Sequence, residues 1–165
     1  MVLTCCARSN EQGAAERAER ILMNMETLHA EGLSDAVANS RCYSAAISAW
    51  ARSESPTAVE RAFALIDRME QNGRDGTPHG KPNAHCYNAC IHAIAKSHNP
   101  GKARQCREVL ERMITAKDTG FYEAAPSLIT YSTIINGTSW HPALVYLARL
   151  PFLMCVVTFV LCLVR

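Results

Sequence analysis

At 165 residues and 48% hydrophobic content, the chain has the length of one ordinary domain and enough apolar side chains to bury a core, which excludes wholesale disorder. A formal net charge of +2 excludes a protein that holds nucleic acid by bulk charge alone, so any such binding has to rest on placed side chains. The eight cysteines fall in helical-looking segments rather than in the loops of a small secreted scaffold, and they are expected as reduced thiols of an intracellular protein.

Residues 1–13 read as an N-terminal tail. They contain no apolar core of a signal peptide, and Glu11, followed by Glu16 and Glu19, makes them an unconvincing transit peptide. Either targeting is absent or the true N-terminus is missing.

From residue 14 to 137 an internal repeat organises the chain. Tyr43, Tyr87 and Tyr131 are spaced 44 residues apart, as are Ile47, Ile91 and Ile135, and Met25, Met69 and Met113. Flanking positions agree at the same offset, among them Ala45 with Ala89, Ser53 with Ser97, Pro56 with Pro100 and Arg68 with Arg112. Within each unit the apolar residues recur at helical spacing, as in Tyr43, Ala46, Ile47 and Trp50, then Ala62, Leu65, Ile66 and Met69. Each unit is therefore expected to be a helical hairpin, with Pro56 or Pro100 in the turn between its two helices. Gly73 and Gly120 are read as stops of the second helices. The units are expected as a second helix at 14–28, two full hairpins at 42–72 and 86–117, and the opening of a further first helix at 130–137, so both ends of the array look cut. A hairpin of this kind buries its apolar face only against its neighbours, which predicts an all-α solenoid of stacked antiparallel hairpins.

After Gly137 the period fails. Residues 138–165 become strongly apolar, with no charge from Leu150 to Val164. A spanning helix needs roughly 20 apolar residues, and reaching that length takes in Arg149 and Pro151. Three readings stay open: a weak membrane anchor, a capping helix, or sequence foreign to the repeat.

Several residue sets invite a chemical reading. His85, Cys86, Cys90 and His92 have helical spacing for metal ligands, but Cys86 fills the repeat slot of Cys42 and Thr130, and His92 that of Ser48; no metal or cofactor is expected. Asp35, Asp67, Asp75 and Asp118 are scattered and form no carboxylate metal site. The three repeat tyrosines have helical spacing from the isoleucines and are expected in packing rather than as base-stacking platforms. Arg52 and Lys96, at the ends of the first helices, are solvated charges unless a concave groove turns them toward phosphates.

The openings Pro82-Asn-Ala-His-Cys-Tyr-Asn-Ala-Cys-Ile and Pro126-Ser-Leu-Ile-Thr-Tyr-Ser-Thr-Ile-Ile resemble the pentatricopeptide (PPR) repeat opening P-D-x-x-T-Y-N-x-L-I. The runs Ala62-Phe-Ala-Leu-Ile-Asp-Arg-Met and Cys106-Arg-Glu-Val-Leu-Glu-Arg-Met resemble that repeat's second helix. The unit is longer than the family's, and the extra residues fall in loops, where insertion is thermodynamically cheap. Expanded repeats of this sort are similar to those of algal and stramenopile members. The Trp-x-x-Leu-Gly-x-x-Tyr opening of tetratricopeptide repeats is absent.

The resemblance implies a right-handed superhelical array that binds single-stranded RNA without being an enzyme, in RNA processing, stability or translation in a mitochondrion or chloroplast. Two alternatives stand beside it. One is a protein-binding helical scaffold, and the other is the RNA-targeting part of a larger nuclease whose catalytic domain lies elsewhere. A membrane is a partner only if residues 138–165 are a genuine anchor. Carried over by motif, the family's two base-reading positions are Ser44 with Asn83 and Asn88 with Ser127, while Asn39 and Ser132 are half-pairs. By the family's tendencies Ser with Asn favours adenine and Asn with Ser favours cytosine over uracil, giving 5′-A-C-3′. Arg52 and Lys96 take the phosphate-contacting role.

Overall fold

The computed structural model describes residues 13–137 except 34, 36, 54 and 77–80, together with Cys5 and Glu11. The expected tail and the apolar segment 138–165 thus lie outside the described residues, Cys5, Glu11 and Gly13 apart. Among the described residues the chain is helical without strands: α1 (Ala14–Ala30), α2 (Ser40–Arg52), α3 (Ala58–Arg74), α4 (Ala84–Lys96), α5 (Lys102–Asp118), a 3-10 turn (Tyr122–Ala124) and α6 (Leu128–Gly137). Helices α1, α3 and α5 have equal length and keep the 44-residue offset at both ends, as do α2 and α4.

Local chemistry repeats with the offset. The first helices α2 and α4 open on Asn39 and Asn83, whose side chains accept hydrogen bonds from the Cys42 and Cys86 amides at 3.2 and 3.1 Å. These caps start the helices earlier than the apolar period alone suggests, at Ser40 and Ala84. Both helices stop at a serine in extended conformation, Ser53 or Ser97, whose hydroxyl donates back to the carbonyl of Trp50 or Ile94 at 2.8 and 2.7 Å. Pro56 and Pro100 sit in the turns that follow, where no helical hydrogen bond is needed.

Gly73 departs from the expectation of a helix stop. It is buried inside α3, and a Cβ there would stand 3.2 Å from Phe121 Cζ and 3.7 Å from Lys81 Cα. The space a side chain would need at this point is taken by the Phe121 ring and the Lys81 backbone. Gly120, by contrast, has φ +101 directly after α5, the left-handed conformation of a helix terminator.

The helices lie in two layers. The first helices pack side by side, α2 on α4 and α4 on α6, and each of α2 and α4 also packs on its own second helix, α3 or α5. The second helices form the other row, tied by ion pairs: Arg61 of α3 to Glu19 of α1, Arg68 of α3 to Glu26 of α1, and Arg112 of α5 to Asp67 and Glu70 of α3. Between the rows runs one apolar core whose largest fully buried side chains are the repeat's own, including Tyr43, Ile47, Ile66 and Met69, then Tyr87, Ile91, Leu110 and Met113. No helix among the described residues is long and apolar enough to cross a membrane.

Candidate nucleic-acid interface

The charges divide between the two layers. Second helices carry both signs, and five of their arginines are paired with carboxylates of the same row. First helices carry no Asp or Glu at all: α2 reads SRCYSAAISAWAR, α4 AHCYNACIHAIAK and α6 LITYSTIING. Their exposed stripe follows helical spacing, Arg41 and Arg52 on α2 and His85, His92 and Lys96 on α4. Among the described residues no carboxylate pairs with Arg41, Arg52 or Lys96. The first-helix layer therefore presents an acid-free cationic face, and the overall charge of +2 conceals it.

At one end of this face the charges converge. Partial burial lowers the His92 pKa, and the positive fields of Lys96 and Arg52 lower it further, which places all three groups in one electrostatic neighbourhood. Arg52 and Lys96 also line one cleft of about 860 Å³ between the turns of the two hairpins, with Trp50, His98 and Asn99 on its walls and Glu60 as its carboxylate. An anion bound there would relieve the mutual repulsion of Arg52 and Lys96.

The base-reading candidates occupy varied surroundings. Ser44 is buried, and its hydroxyl donates to the Arg41 carbonyl at 3.1 Å. Asn83 is half-buried; besides capping α4, its Nδ2 donates to Ser40 Oγ at 3.2 Å, so α4 begins against the first turn of α2. Asn88 and Ser127 are brought together through one hydroxyl. Thr130 Oγ1 donates to Asn88 Oδ1 at 2.7 Å, accepts from the Ser127 amide at 3.0 Å and lies 3.5 Å from Ser127 Oγ. Ser127 is exposed and Asn88 half-buried. Asn39 is an exposed cap of α2, and Ser132 is exposed with its hydroxyl on the Ile129 carbonyl at 3.0 Å.

Compared with protein-family models, curated proteins and solved structures, the chain matches none.

Tyr43 and Tyr87 are fully buried, so their rings pack in the core and offer no stacking surface. Their hydroxyls mark a feature that sequence reasoning missed. Tyr87 donates to Glu70 at 2.9 Å, and Glu70 also takes Arg112 Nε at 3.1 Å; Tyr43 donates to Glu26, which pairs with Arg68. Burial, then the neighbouring carboxylate, pushes both phenols well above their ordinary pKa. The Glu–Tyr–Arg relay thus recurs at the repeat offset and ties a second helix to the next first helix and the next second helix. Its signal was available in Glu26 and Glu70, spaced like Arg68 and Arg112.

Cys86, Cys90 and Cys106 are buried thiols. Burial raises Cys86 and Cys106 to about 11, leaving them protonated and unreactive at neutral pH. His85 and His92 are exposed while Cys86 and Cys90 face the core, so the four candidate ligands point to opposite sides of α4.

Proposed function

We propose that the chain binds single-stranded RNA along the exposed face of its first helices, as a right-handed superhelical array of hairpins of the PPR kind. The observation that carries this reading is the charge segregation: helices without a single carboxylate form one layer, and the exposed stripe of α2 and α4 within it is cationic. A folded single strand of phosphates is the polymer that such a stripe suits, since its charges recur along a line. Arg52 and Lys96 contact phosphates in this reading, and Arg41, His85 and His92 join them. The Asn88–Ser127 pair is the better disposed of the two base-reading pairs, because Thr130 holds both side chains near one point at the edge of the layer. Ser44, buried and engaged with its own helix, contributes mainly by leaving room for a base beside it.

The test is anisotropy of a labelled single-stranded RNA over a salt series. For single strands each neutralised phosphate adds about −0.7 to the slope of log K against log salt, so Arg52→Ala with Lys96→Ala should make the slope shallower by about 1.4. Removing Arg104 and Lys117 from the second helix α5 should leave the slope unchanged. Salt-independent binding, or equal effects from the two layers, would overturn the proposal.

A further inference from the structure

We propose that Thr130 is a positioning residue for base discrimination: by holding the side-chain carbonyl of Asn88 it leaves the Asn88 N–H groups as the reading edge, which selects cytosine against uracil. This rests on the RNA-binding reading above and adds the residue and the atoms on which selection turns.

The geometry fixes which way the Asn88 carboxamide points. Thr130 is 0% exposed, so its hydroxyl has no bulk water to bond. Its oxygen already accepts from the Ser127 amide at 3.0 Å, and its proton needs an acceptor within the protein. Asn88 Oδ1 stands at 2.7 Å, the usual length of an O–H···O bond, whereas Ser127 Oγ is at 3.5 Å, the far limit of one. Turning the carboxamide over would set Nδ2 against the hydroxyl and leave the buried proton only the longer contact.

The consequence is a polarity at the surface. Asn88 is half-buried, and its Nδ2 makes no hydrogen bond to any described residue and is not sealed from solvent. A donor on the reading edge pairs with a base whose ring nitrogen is an acceptor. Cytosine N3 is one, whereas uracil N3 carries a hydrogen and would face Nδ2 donor to donor, so uracil has to shift to offer a carbonyl instead.

The preceding junction lacks this lock. One unit earlier the slot of Thr130 holds Cys86, whose thiol donates to the Ser40 carbonyl at 3.3 Å. Ser44, the counterpart of Asn88, donates its hydroxyl to Arg41 of its own helix. Orientation of a base-reading side chain by the next first helix thus belongs to the contact of α4 with α6.

Binding of the full chain to oligocytidine and oligouridine of equal length tests this without knowledge of the register. Oligocytidine should bind about fivefold more tightly, the worth of one hydrogen bond. An oligomer of 3-deazacytidine, which has C–H in place of N3, should bind the unaltered protein no better than oligouridine. Thr130→Val keeps the shape and removes the hydroxyl, which frees the carboxamide to turn, and the preference should fall toward parity; Thr130→Ser should retain it. Asn88→Asp, whose outward oxygen accepts, should reverse the preference in favour of uridine. None of the Thr130 variants should change the salt slope, which counts phosphates. Absence of binding to any of these strands overturns the RNA-binding reading and this inference with it. Binding that ignores the difference between cytidine and uridine overturns this inference alone, as does 3-deazacytidine that binds like cytidine or a preference unchanged in Thr130→Val or in Asn88→Asp.

Discussion

Removing the carboxylate of Glu70 should cost far more than losing a surface charge. Glu70 accepts from the Tyr87 hydroxyl at 2.9 Å and from Arg112 at 3.1 and 3.0 Å, and its side chain is 13% exposed. In Glu70→Ala the Tyr87 hydroxyl, fully buried, is left without its acceptor, which costs about 1–3 kcal/mol. Arg112 keeps Asp67 and some contact with water, so its share falls to about 1 kcal/mol rather than the 3–5 kcal/mol of a sealed pair. The expected loss is about 3 kcal/mol in urea unfolding followed by helical circular dichroism. Tyr87→Phe alone should cost about 1 kcal/mol, yet in the Glu70→Ala background it should recover about 1 kcal/mol or more, because the orphaned hydroxyl leaves with it. Glu70→Ile should cost less than Glu70→Ala, since the chain places Ile114 in that slot one unit later. A loss below about 0.5 kcal/mol for Glu70→Ala, or equal effects of Tyr87→Phe in both backgrounds, would show that the relay does not couple the units.

Three further outcomes are expected. Gly137→Ala should destabilise the packing of α6 on α4, since a Cβ there overlaps Ala95, with an apparent loss of about 1–3 kcal/mol in the same unfolding assay. RNA affinity should rise as pH falls below about 6.5, because His92 has a lowered pKa in the free protein and a bound phosphate raises it; stability of the free protein runs the other way, falling over the same range because the unfolded chain binds that proton more readily. His92→Ala should remove its share of both dependences, which anisotropy and melting at two pH values would register. Asn83→Asp keeps the cap of α4 but loses the Nδ2 donor to Ser40, and it should move the preference at the matching base from A toward G in a panel of oligomers.

Much of the architecture was legible because repetition is a long-range signal that one sequence contains in full. Tyrosine, isoleucine and methionine at a common offset located the hairpins and their core faces, and in the two complete hairpins those side chains are buried as the helical period requires, whereas Met25, Tyr131 and Ile135 are partly buried. Helix edges were less legible. Ser40 and Ala84 are helical because Asn39 and Asn83 cap them, and an apolar period does not register a polar cap. Helix α3 ends at Arg74, one residue beyond Gly73, but sequence did not reveal that Gly73 itself lies under the Phe121 ring and beside the Lys81 backbone. The relay partners of Tyr43 and Tyr87 lie 17 residues upstream, on another helix. The acid-free stripe was only half seen. Arg52 and Lys96 stood out at helix ends, whereas Arg41 and His92 acquire meaning once α2 and α4 are known to lie side by side.

The most direct measurement of the proposed function is photocrosslinking of the full chain to a single-stranded RNA containing thiouridine, with the attached peptides mapped by mass spectrometry. Binding on the first-helix layer predicts crosslinks in α2 and α4, concentrated around Arg52, His92 and Lys96 and around Asn88, and lost in high salt. Crosslinks confined to α3 and α5, or none at RNA concentrations that saturate the anisotropy signal, would contradict it.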